Sequence, residues 1–392
     1  MVNIIDKNVC TGCKACGDIC PKNAISYRVD DEGFWYPDID EVKCIHCNCC
    51  IQTCPIFKEF EFAKSQPKVY AAWSENLDVR LNSTSGGVYF ELANQALLRN
   101  GYIIGCIYMD EYKSAVHIVS NDHAGLQKIM GSKYFQSDTA GIYVQTKQLL
   151  ESGKLVLFCG TPCQNAALSL FLKKEYNNLY QVDFVCRGIN SPKAFRKYME
   201  ELERRYKSKL KLVHLKNKSK GWQNLGTFIQ FNNGKTYYRN RYTDPWVNGY
   251  IVGNLFMRPS CAQCKFKKLP RISDVTLGDF WGLPVKKEDS FNGVSVVLIN
   301  SEKGHLLLNW AEENLFIENH TLEEATSGNP CILNPASMGE RRTEFFKRID
   351  NEDFSKVVWD LLNLNSPWRQ IQYGILKFKK WLSSLYHRIV GE

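Results

Sequence analysis

Short apolar segments alternate with segments of helical periodicity along most of the chain. The segments "VYAAWS" (69–74) and "YIIGCIY" (102–108) are mostly apolar and have the length of buried strands. The segment "KLVLFCGTPCQNAALSLFL" (154–172) changes from a strand pattern over residues 155–158 to a helix pattern after Pro162. Strands that alternate with helices in this way predict an α/β fold for the body of the chain.

A helix is predicted after residue 87, because apolar residues recur there at helical spacing, namely Val88, Leu92, Ala96 and Leu97. One of the residues 83–85, all Ser or Thr, is expected to cap its start, and Asn100-Gly101 is expected to end it. Gly86 and Gly87 would let an anion such as a phosphate approach the helix N-terminus. Glycine pairs at helix starts also occur for structural reasons alone, so this signal is weak by itself.

The segment "AISYRVDDEGFWYPDI" (24–39) predicts a β-hairpin near the start of the chain. Two short runs of strand-forming residues flank an Asp-Asp-Glu-Gly turn, and Gly33 supplies the backbone angle that the turn requires. A hairpin of this kind fits between the two halves of a two-cluster ferredoxin.

The last apolar pattern, over residues 368–390, predicts an amphipathic helix. Its apolar side contains Ile371, Ile375, Phe378, Leu382, Leu385 and Ile389. Residues 366–392 carry a net charge of +4. Such a helix is expected either to contact a membrane surface or a partner, or to pack on its own domain.

Composition and charge restrict the class of protein. The chain has 392 residues, and no apolar run approaches the length of a membrane span. Its start lacks the features of a secretory signal, and sixteen cysteines in clusters favour metal or redox use in a reducing cytoplasm. The net charge of +9 divides into −3 for residues 1–60 and +12 for the remainder, so a nucleic-acid partner is not expected.

Two cysteine runs near the start have the spacing of bacterial ferredoxins, C-x2-C-x2-C-x3-C-P. In two-cluster ferredoxins the fourth cysteine of each run binds the other cluster. We therefore assign one 4Fe-4S cluster to Cys10, Cys13, Cys16 and Cys54, and a second to Cys44, Cys47, Cys50 and Cys20. Zinc is the alternative, but zinc sites require neither the third cysteine nor the Cys-Pro ending. Cys49 is expected to be a bystander and His46 a neighbour.

Four further cysteines come from three places in the body of the chain. Cys163 falls in the first turn of a predicted helix that Thr161 caps, where the helix dipole favours a thiolate. Cys186 follows the apolar strand "YQVDFVC", and Cys261 and Cys264 form a C-x2-C pair. Spacing leaves several interpretations open: one buried cluster, or a core thiol, a nucleophile and half of a zinc site.

Several motifs occur together in an order typical of one protein family: "STSGG" (83–87), "GSKYFQSD" (131–138), "GTPCQ" (160–164), "VCRG" (185–188), "CAQCKFK" (261–267) and "SDVTLGDFWG" (273–282). With these motifs, residues from about 69 to 330 resemble the coenzyme F-420 hydrogenase/dehydrogenase beta-subunit family. The chain departs from the founding members because it carries a fused ferredoxin, and no motif identifies a deazaflavin site.

The resemblance implies FAD in an α/β domain and a third 4Fe-4S cluster beside it, held by Cys163, Cys186, Cys261 and Cys264. The residues that it assigns to the flavin are Ser85, Gly86, Gly87, Ser132, Lys133, Tyr134, Gly160 and Thr161. Lys133 and Asp279 are the candidate catalytic residues: Lys133 could offset the charge of a reduced flavin or be a surface lysine. Asp279 and Trp281 lie in the last motif, where a buried structural turn would explain them equally well.

The expected fold class is α+β / α/β, with a two-cluster ferredoxin-like module before a larger α/β flavin-binding domain. The expected regions are the ferredoxin-like domain (1–57), a linker (58–68), the flavin-binding region (69–150), the third-cluster region (151–330) and a helical tail (331–392).

The expected function is that of a cytoplasmic flavoprotein oxidoreductase. Electrons would pass between a ferredoxin or another redox protein, three clusters and FAD, to or from a small molecule or a deazaflavin-type coenzyme. Members of the family in anaerobic bacteria resemble stand-alone reductases, some of them associated with polysaccharide synthesis. The alternative is a non-enzymatic electron-relay subunit of a larger redox complex.

Overall fold

The computed structural model describes residues 6–60, 66–284 and 286–364. The amphipathic helix predicted over residues 368–390 lies outside these residues, as do residues 61–65 of the predicted linker. No helix in the described part of the chain combines the length and the apolar character that crossing a lipid bilayer requires.

The front module, which we define as residues 6–57, contains the predicted hairpin. Strand β1 (Ile25–Val29) pairs antiparallel with β2 (Trp35–Ile39), and Gly33 between them has a φ of 85°. One short helix follows three cysteines of each run, α1 (Ala15–Asp18) and α2 (Cys49–Thr53). The hairpin prediction is therefore confirmed, and the two cysteine runs occupy similar local structures on either side of it.

The strands of the remaining chain are β3 (Lys68–Ser74), β4 (Tyr102–Met109), β5 (Ser114–Ser120), β6 (Val156–Cys159), β7 (Leu179–Phe184), β8 (Leu210–Asn217), β9 (Gly226–Phe231), β10 (Thr236–Asn240), β11 (Val275–Asp279), β12 (Ser295–Ile299) and β13 (Leu315–His320). The helices are α3 (Leu77–Asn82), α4 (Val88–Leu98), α5 (His123–Ile129), α6 (Ile142–Glu151), α7 (Pro162–Leu172), α8 (Pro192–Tyr206), α9 (Pro245–Val247), α10 (Lys287–Asn292), α11 (Glu302–Trp310), α12 (Leu322–Ser327), α13 (Arg342–Arg348) and α14 (Phe354–Leu361).

An eight-stranded sheet forms the centre of the body, in the order β13-β3-β12-β11-β7-β6-β4-β5. Its four inner strands β11, β7, β6 and β4 are parallel, and the remaining pairs are antiparallel. Because parallel strands end at the same edge, residues 159–163, 184–188 and 279–281 approach one another there. Ligands of open α/β sheets bind at this edge.

Helices cover both faces of the large sheet. Leu92 of α4, Leu126 of α5 and Leu307 of α11 belong to one buried cluster on the first face. Leu150 of α6 and Leu168 of α7 belong to the cluster on the opposite face. The α/β prediction for the body is confirmed, and these helices make the inner strands apolar on both sides.

A small lobe, comprising β8–β10, α8, α9, α13 and α14, has its own core. Its antiparallel sheet has the order β10-β9-β8 and packs with these helices around Trp246 and other buried aromatic residues. Tyr198, Phe256 and Phe354 contact the Trp246 ring with centroid distances of 4.6–6.2 Å. The lobe faces the carboxyl edge of the large sheet across a cavity described below.

Polar contacts fix the front module to the body. The carboxylate of Asp18 accepts hydrogen bonds from the backbone N–H groups of Gly141 and Tyr143, at the start of α6. Lys14 pairs with Asp138 over 2.6 Å, and Glu32 pairs with Arg342. An anion at a helix N-terminus is favoured by the free amides and the helix dipole. The module is thus held in one orientation by contacts on several of its sides.

Candidate metal centres and the central cavity

The first cysteine set contains Cys10, Cys13 and Cys16 of the first run together with Cys54 of the second. Burial raises the pKa of Cys54 to about 12, and the neighbouring Cys13 and Cys10 thiols raise it further. Burial also raises the pKa of Cys16, with contributions from Cys13, Cys10 and Cys54. The structure therefore places Cys54 among the cysteines of the other run.

The second cysteine set contains Cys20 of the first run and Cys44, Cys47 and Cys50 of the second, and all four line one small cavity. The backbone N–H of Ala24 donates a hydrogen bond to Cys20 Sγ over 3.3 Å. His46 and Cys49 border the same cavity. Cys47 is exposed, so this set lies nearer the surface than the first set, in which Cys10 and Cys54 are buried.

The two runs share an unusual backbone conformation. Gly12 and His46 occupy the same position in their runs and have φ values of 67° and 53°. Lys14 and Asn48, two residues later, have φ values of 61° and 59°. Left-handed conformations are uncommon for residues other than glycine, so their repetition at matched positions indicates two equivalent thiolate-presenting loops.

The third cysteine set contains Cys163 in the first turn of α7, Cys186 after β7, and Cys261 and Cys264 in and just after the 3-10 turn Pro259–Gln263. All four line one cavity, which Thr11 and Ile56 of the front module also border. Burial raises the pKa of Cys186 to about 12, and Cys261 and Cys264 raise it further. The structure thus brings together the cysteines whose spacing left several interpretations open.

The donor chemistry of the three sets fits iron–sulfur clusters. Each set offers four thiols, and cysteine thiolates are the usual ligands of 4Fe-4S clusters. Backbone N–H groups that donate to sulfur tune such clusters, and Ile189 N–H donates to Cys261 Sγ over 3.3 Å. Among the described residues, no group of three or more His, Cys, Asp or Glu side chains surrounds a position for a single metal ion.

A cavity of about 1390 Å³ lies at the carboxyl edge of the large sheet, between the sheet and the small lobe. Its lining includes most of the predicted cofactor-binding residues: Ser85, Gly87, Ser132, Lys133, Tyr134, Gly160 and Thr161. It also includes Cys186 of the third set and the residues Arg187, Gly188 and Ile189 that follow it. The segment 186–189 therefore separates this central cavity from the cavity of the third set.

Gly86 differs from the other predicted residues because it does not line the central cavity. A Cβ atom there would lie 2.4 Å from the Ala72 carbonyl oxygen, so the position requires glycine for close packing against β3. The predicted side-chain cap is also wrong: α4 begins after Gly87, whose φ of 93° starts the helix without a hydroxyl cap. The predicted Thr161 cap of α7 is confirmed, since its hydroxyl accepts from the Gln164 N–H.

Lys133 borders the central cavity, but its ammonium group already has partners. It donates to the backbone carbonyls of Lys128, Ile129 and Met130 over 2.8–2.9 Å and so caps the C-terminus of α5. Burial lowers the pKa of Lys133 to about 8, although the Cys106 and Cys159 thiols oppose that change. Its place in the cavity wall is thus set by the helix end that it caps.

Asp279 ends β11 and belongs to a polar group at the cavity wall. It forms an ion pair with Lys216 and accepts a hydrogen bond of 2.7 Å from Trp222 Nε1. The Trp222 ring stacks on Trp281 with a centroid distance of 4.4 Å. Because its oxygens have these partners, Asp279 orients the wall that Lys216 and Trp281 form.

The comparisons with known proteins agree with these two kinds of site. Residues 9–57 match the 4Fe-4S dicluster domain, and residues 153–325 match the C terminus of the coenzyme F420 hydrogenase/dehydrogenase beta subunit. The chain joins a dicluster ferredoxin domain to the C-terminal domain of the F420 hydrogenase/dehydrogenase beta-subunit family. The predicted family resemblance is confirmed, and the chain is related to iron–sulfur oxidoreductases.

Two relatives show how far the similarity extends along the chain. An uncharacterized ferredoxin of Methanocaldococcus jannaschii is 36% identical over 52 residues, which are 13% of this chain and 66% of that protein. The match therefore spans just under two thirds of the relative. A chain of the F420-reducing [NiFe] hydrogenase complex from Methanosarcina barkeri superposes with a TM-score of 0.47 and 16% identity, covering 70% of this chain and 92% of that chain.

Several residues around the cavity were missed by sequence reasoning. Asp183 is 1% exposed and borders the central cavity near the end of β7, and neither carboxylate oxygen has a hydrogen-bond partner among the described residues. Burial raises the pKa of Asp183 to about 6, while Arg271 and the nearby Thr276 and Ser273 hydroxyls oppose the rise. A carboxylate inside the apolar run "YQVDFVC" was the signal that could have identified it.

The Asp183→Asn variant is expected to unfold at a higher temperature than the wild type at pH 7–8. The folded protein disfavours the charged carboxylate, so Asp183 contributes stability below about pH 4 that is lost as the pH rises through about 6. A shift of about two units corresponds to at most about 3 kcal/mol. Thermal unfolding of the cluster-loaded protein, followed from pH 5 to pH 8, measures the difference.

Asp244→Asn is the matched control, because Asp244 is equally buried but accepts hydrogen bonds from Tyr198, Tyr237 and the Val247 N–H. That variant is expected to be destabilised over the same pH range. An Asp183→Asn protein that is no more stable than the wild type at pH 8 would contradict the unpartnered state of Asp183.

Proposed function

We propose that the chain is an iron–sulfur flavoprotein oxidoreductase in which three 4Fe-4S clusters connect a redox partner to FAD in the central cavity. The three cysteine sets would hold the clusters, and the lining residues around Ser85, Gly87, Tyr134 and Thr161 would hold the flavin. We place the linker at 58–68 and the cavity-forming regions at 69–150 and 151–330. The catalytic candidates remain Lys133 and Asp279.

One observation carries this proposal: the sites are contiguous. Thr11 and Ile56, beside Cys10 and Cys54 of the first set, border the cavity of the third set. On the opposite side, Cys186–Ile189 borders both the third set and the central cavity. A one-electron path from the exposed second set through the first and third sets would therefore end at the central cavity.

The residues of the chain have separate tasks in this scheme. When bound, FAD would supply the step between one-electron carriers and a two-electron substrate. Thr161 and Gly160 would position it at the N-terminus of α7, where free amides favour an anionic group. Lys133 would add a positive charge to the wall, and the buried strands and helices would exclude water from the path.

The proposed electron donor is a ferredoxin-type protein that contacts the front module near the second cysteine set. Val42 is 98% exposed and Ile45 is 56% exposed, both close to Cys44 and Cys47. Asp38, Asp40 and Glu41 are also exposed there. An apolar centre with a charged surround is typical of a protein-binding surface.

A non-enzymatic electron relay is the second candidate. The mouth of the central cavity has exposed apolar residues, with Phe184 at 42%, Ile251 at 43% and Val252 at 55%. A partner protein that covers this rim would receive electrons without turnover of a small molecule. The basic lining described below favours the enzyme instead.

Rapid mixing under anaerobic conditions tests the proposal. The reconstituted chain is mixed with a reduced ferredoxin, while the clusters are followed by electron paramagnetic resonance and the flavin by its visible absorbance. We expect the clusters to be reduced before the flavin. A chain that binds no flavin, or a flavin reduced while the clusters remain oxidised, would contradict the proposed path. Sustained substrate turnover separates the enzyme from the relay.

A further inference from the structure

The wall that the small lobe contributes to the central cavity is rich in hydrogen-bond donors and poor in carboxylates. Arg239 in β10 and Arg241 just after it both line the cavity and are exposed. Neither guanidinium group has a hydrogen bond or an ion pair within residues 6–60, 66–284 and 286–364. The Arg241 guanidinium instead lies over the rings of Tyr242 and Trp281, at 5.3 and 5.8 Å.

Two tryptophans of the same lobe add donors without acceptors. Trp246 is 1% exposed and Trp359 is half-buried, and both line the cavity. Each indole Nε1–H is buried without an acceptor in the described part of the chain. A buried unpaired donor is costly, so native structures rarely leave one without a ligand, water or protein partner. This wall therefore lacks what it can bind: an acceptor.

The charge balance and the size of the cavity point the same way. Its charged lining side chains are the cations Lys133, Arg187, Lys216, Arg239 and Arg241, against the carboxylates Asp183 and Asp279. Asp279 is already paired with Lys216. The volume of about 1390 Å³ exceeds the roughly 300–1,000 Å³ of a site for one drug-sized ligand. Space remains for a second molecule beside a flavin on the opposite wall.

We propose that the wall formed by Arg239, Arg241 and Trp246 binds an oxyanionic group of the substrate, either a carboxylate or a phosphate. Arginine presents a planar fork of donors that matches both groups, and its contacts with aromatic faces hold that fork in place. This inference rests on the proposed function, because it assigns the opposite wall to FAD. It adds a substrate class that the family resemblance does not supply: the substrate is an anion whose reacting part faces the large sheet.

Isothermal titration of the full cluster- and FAD-loaded chain tests the proposal with phenyl phosphate, benzoate and neutral benzyl alcohol. We expect at least one of the two anions to bind and benzyl alcohol to bind much more weakly. The stronger anion identifies phosphate or carboxylate as the preferred group. In the Arg239→Gln/Arg241→Gln variant, binding of that anion is expected to weaken about tenfold or more, the factor that one charge-assisted hydrogen bond contributes.

The Lys220→Gln variant is the control, because Lys220 is an exposed cation over the Tyr238 ring that does not border the cavity. It should bind the anion like the wild type. The inference is overturned if neither anion binds the wild type, if the double variant binds as tightly as the wild type, or if benzyl alcohol binds equally well.

The flavin content of the double variant separates this inference from the proposed function. We expect it to remain at the wild-type value. A double variant that loses FAD would show that the arginines hold the cofactor, which overturns the substrate assignment. A wild type without any FAD would instead defeat the proposed function, while the difference in anion binding between wild type and variant would still stand.

Discussion

The Cys261→Ser/Cys264→Ser variant is expected to contain about eight irons per chain instead of about twelve, because a 4Fe-4S cluster requires four thiolate ligands. These two cysteines form half of the third set, and their cavity lies between the front module and the central cavity. With that cluster absent, electrons from a reduced ferredoxin should no longer reach the flavin. Iron analysis and rapid-mixing spectroscopy measure the two effects on one preparation.

Cys331→Ser is the matched control for iron content. Cys331 is a cysteine outside the three sets, yet it lies near the third set, since Lys267 donates to the carbonyls of both Cys186 and Cys331. That variant should keep all its irons. A double variant that retains about twelve irons would show that Cys261 and Cys264 hold no cluster.

Replacement of Arg258 with methionine is expected to lower the free energy of unfolding by about 3 kcal/mol, because it removes several buried hydrogen bonds from a charged donor. Arg258 is fully buried and donates to the carbonyls of Cys10 and Trp35 and to Gln136 Oε1, over 2.7–3.1 Å. These contacts join the front module to the body. The variant should also lose the front module to limited proteolysis sooner than the wild type.

The same substitution should lower the reduction potentials of nearby clusters. The Arg258 guanidinium lies close enough to Cys13 and Cys261 to lower their pKa values, and it forms no ion pair within the described residues. Reduction adds negative charge to a cluster, and removal of a neighbouring cation makes that less favourable. Potentiometric titration measures this shift.

Arg258→Lys separates the two effects of Arg258. Lysine keeps the charge but not the fork of donors, so the potentials should stay nearer the wild-type values while much of the stability is lost. Methionine and lysine variants with equal potentials would contradict the electrostatic role of this residue.

The local features of the chain were predictable because nearby residues determine them. The ferredoxin spacing indicated that Cys54 belongs with Cys10, and the structure places them together. The hairpin around Gly33 and the Thr161 cap likewise depend on a few consecutive residues. The cap predicted for α4 failed because the chain reaches Val88 through Gly87 in a left-handed conformation, so no hydroxyl is required.

The long-range features were not predictable from one sequence. Arg258 contacts Cys10 across 248 positions, and no periodicity or motif relates the two. Arg239 and Arg241 acquire meaning only when the small lobe folds over the edge of the large sheet. Asp183 was visible as a charge within an apolar strand, but its missing hydrogen bonds depend on the packing of several distant elements.

The measurement that tests the account most directly is the metal, sulfide and flavin content of the full chain prepared without oxygen. Three clusters and one flavin predict about twelve irons, about twelve sulfides and one FAD per chain. A saturated preparation with about eight irons would remove the third cluster. Zinc in place of iron, or three clusters without flavin, would contradict the central claim that a chain of clusters leads to a flavin.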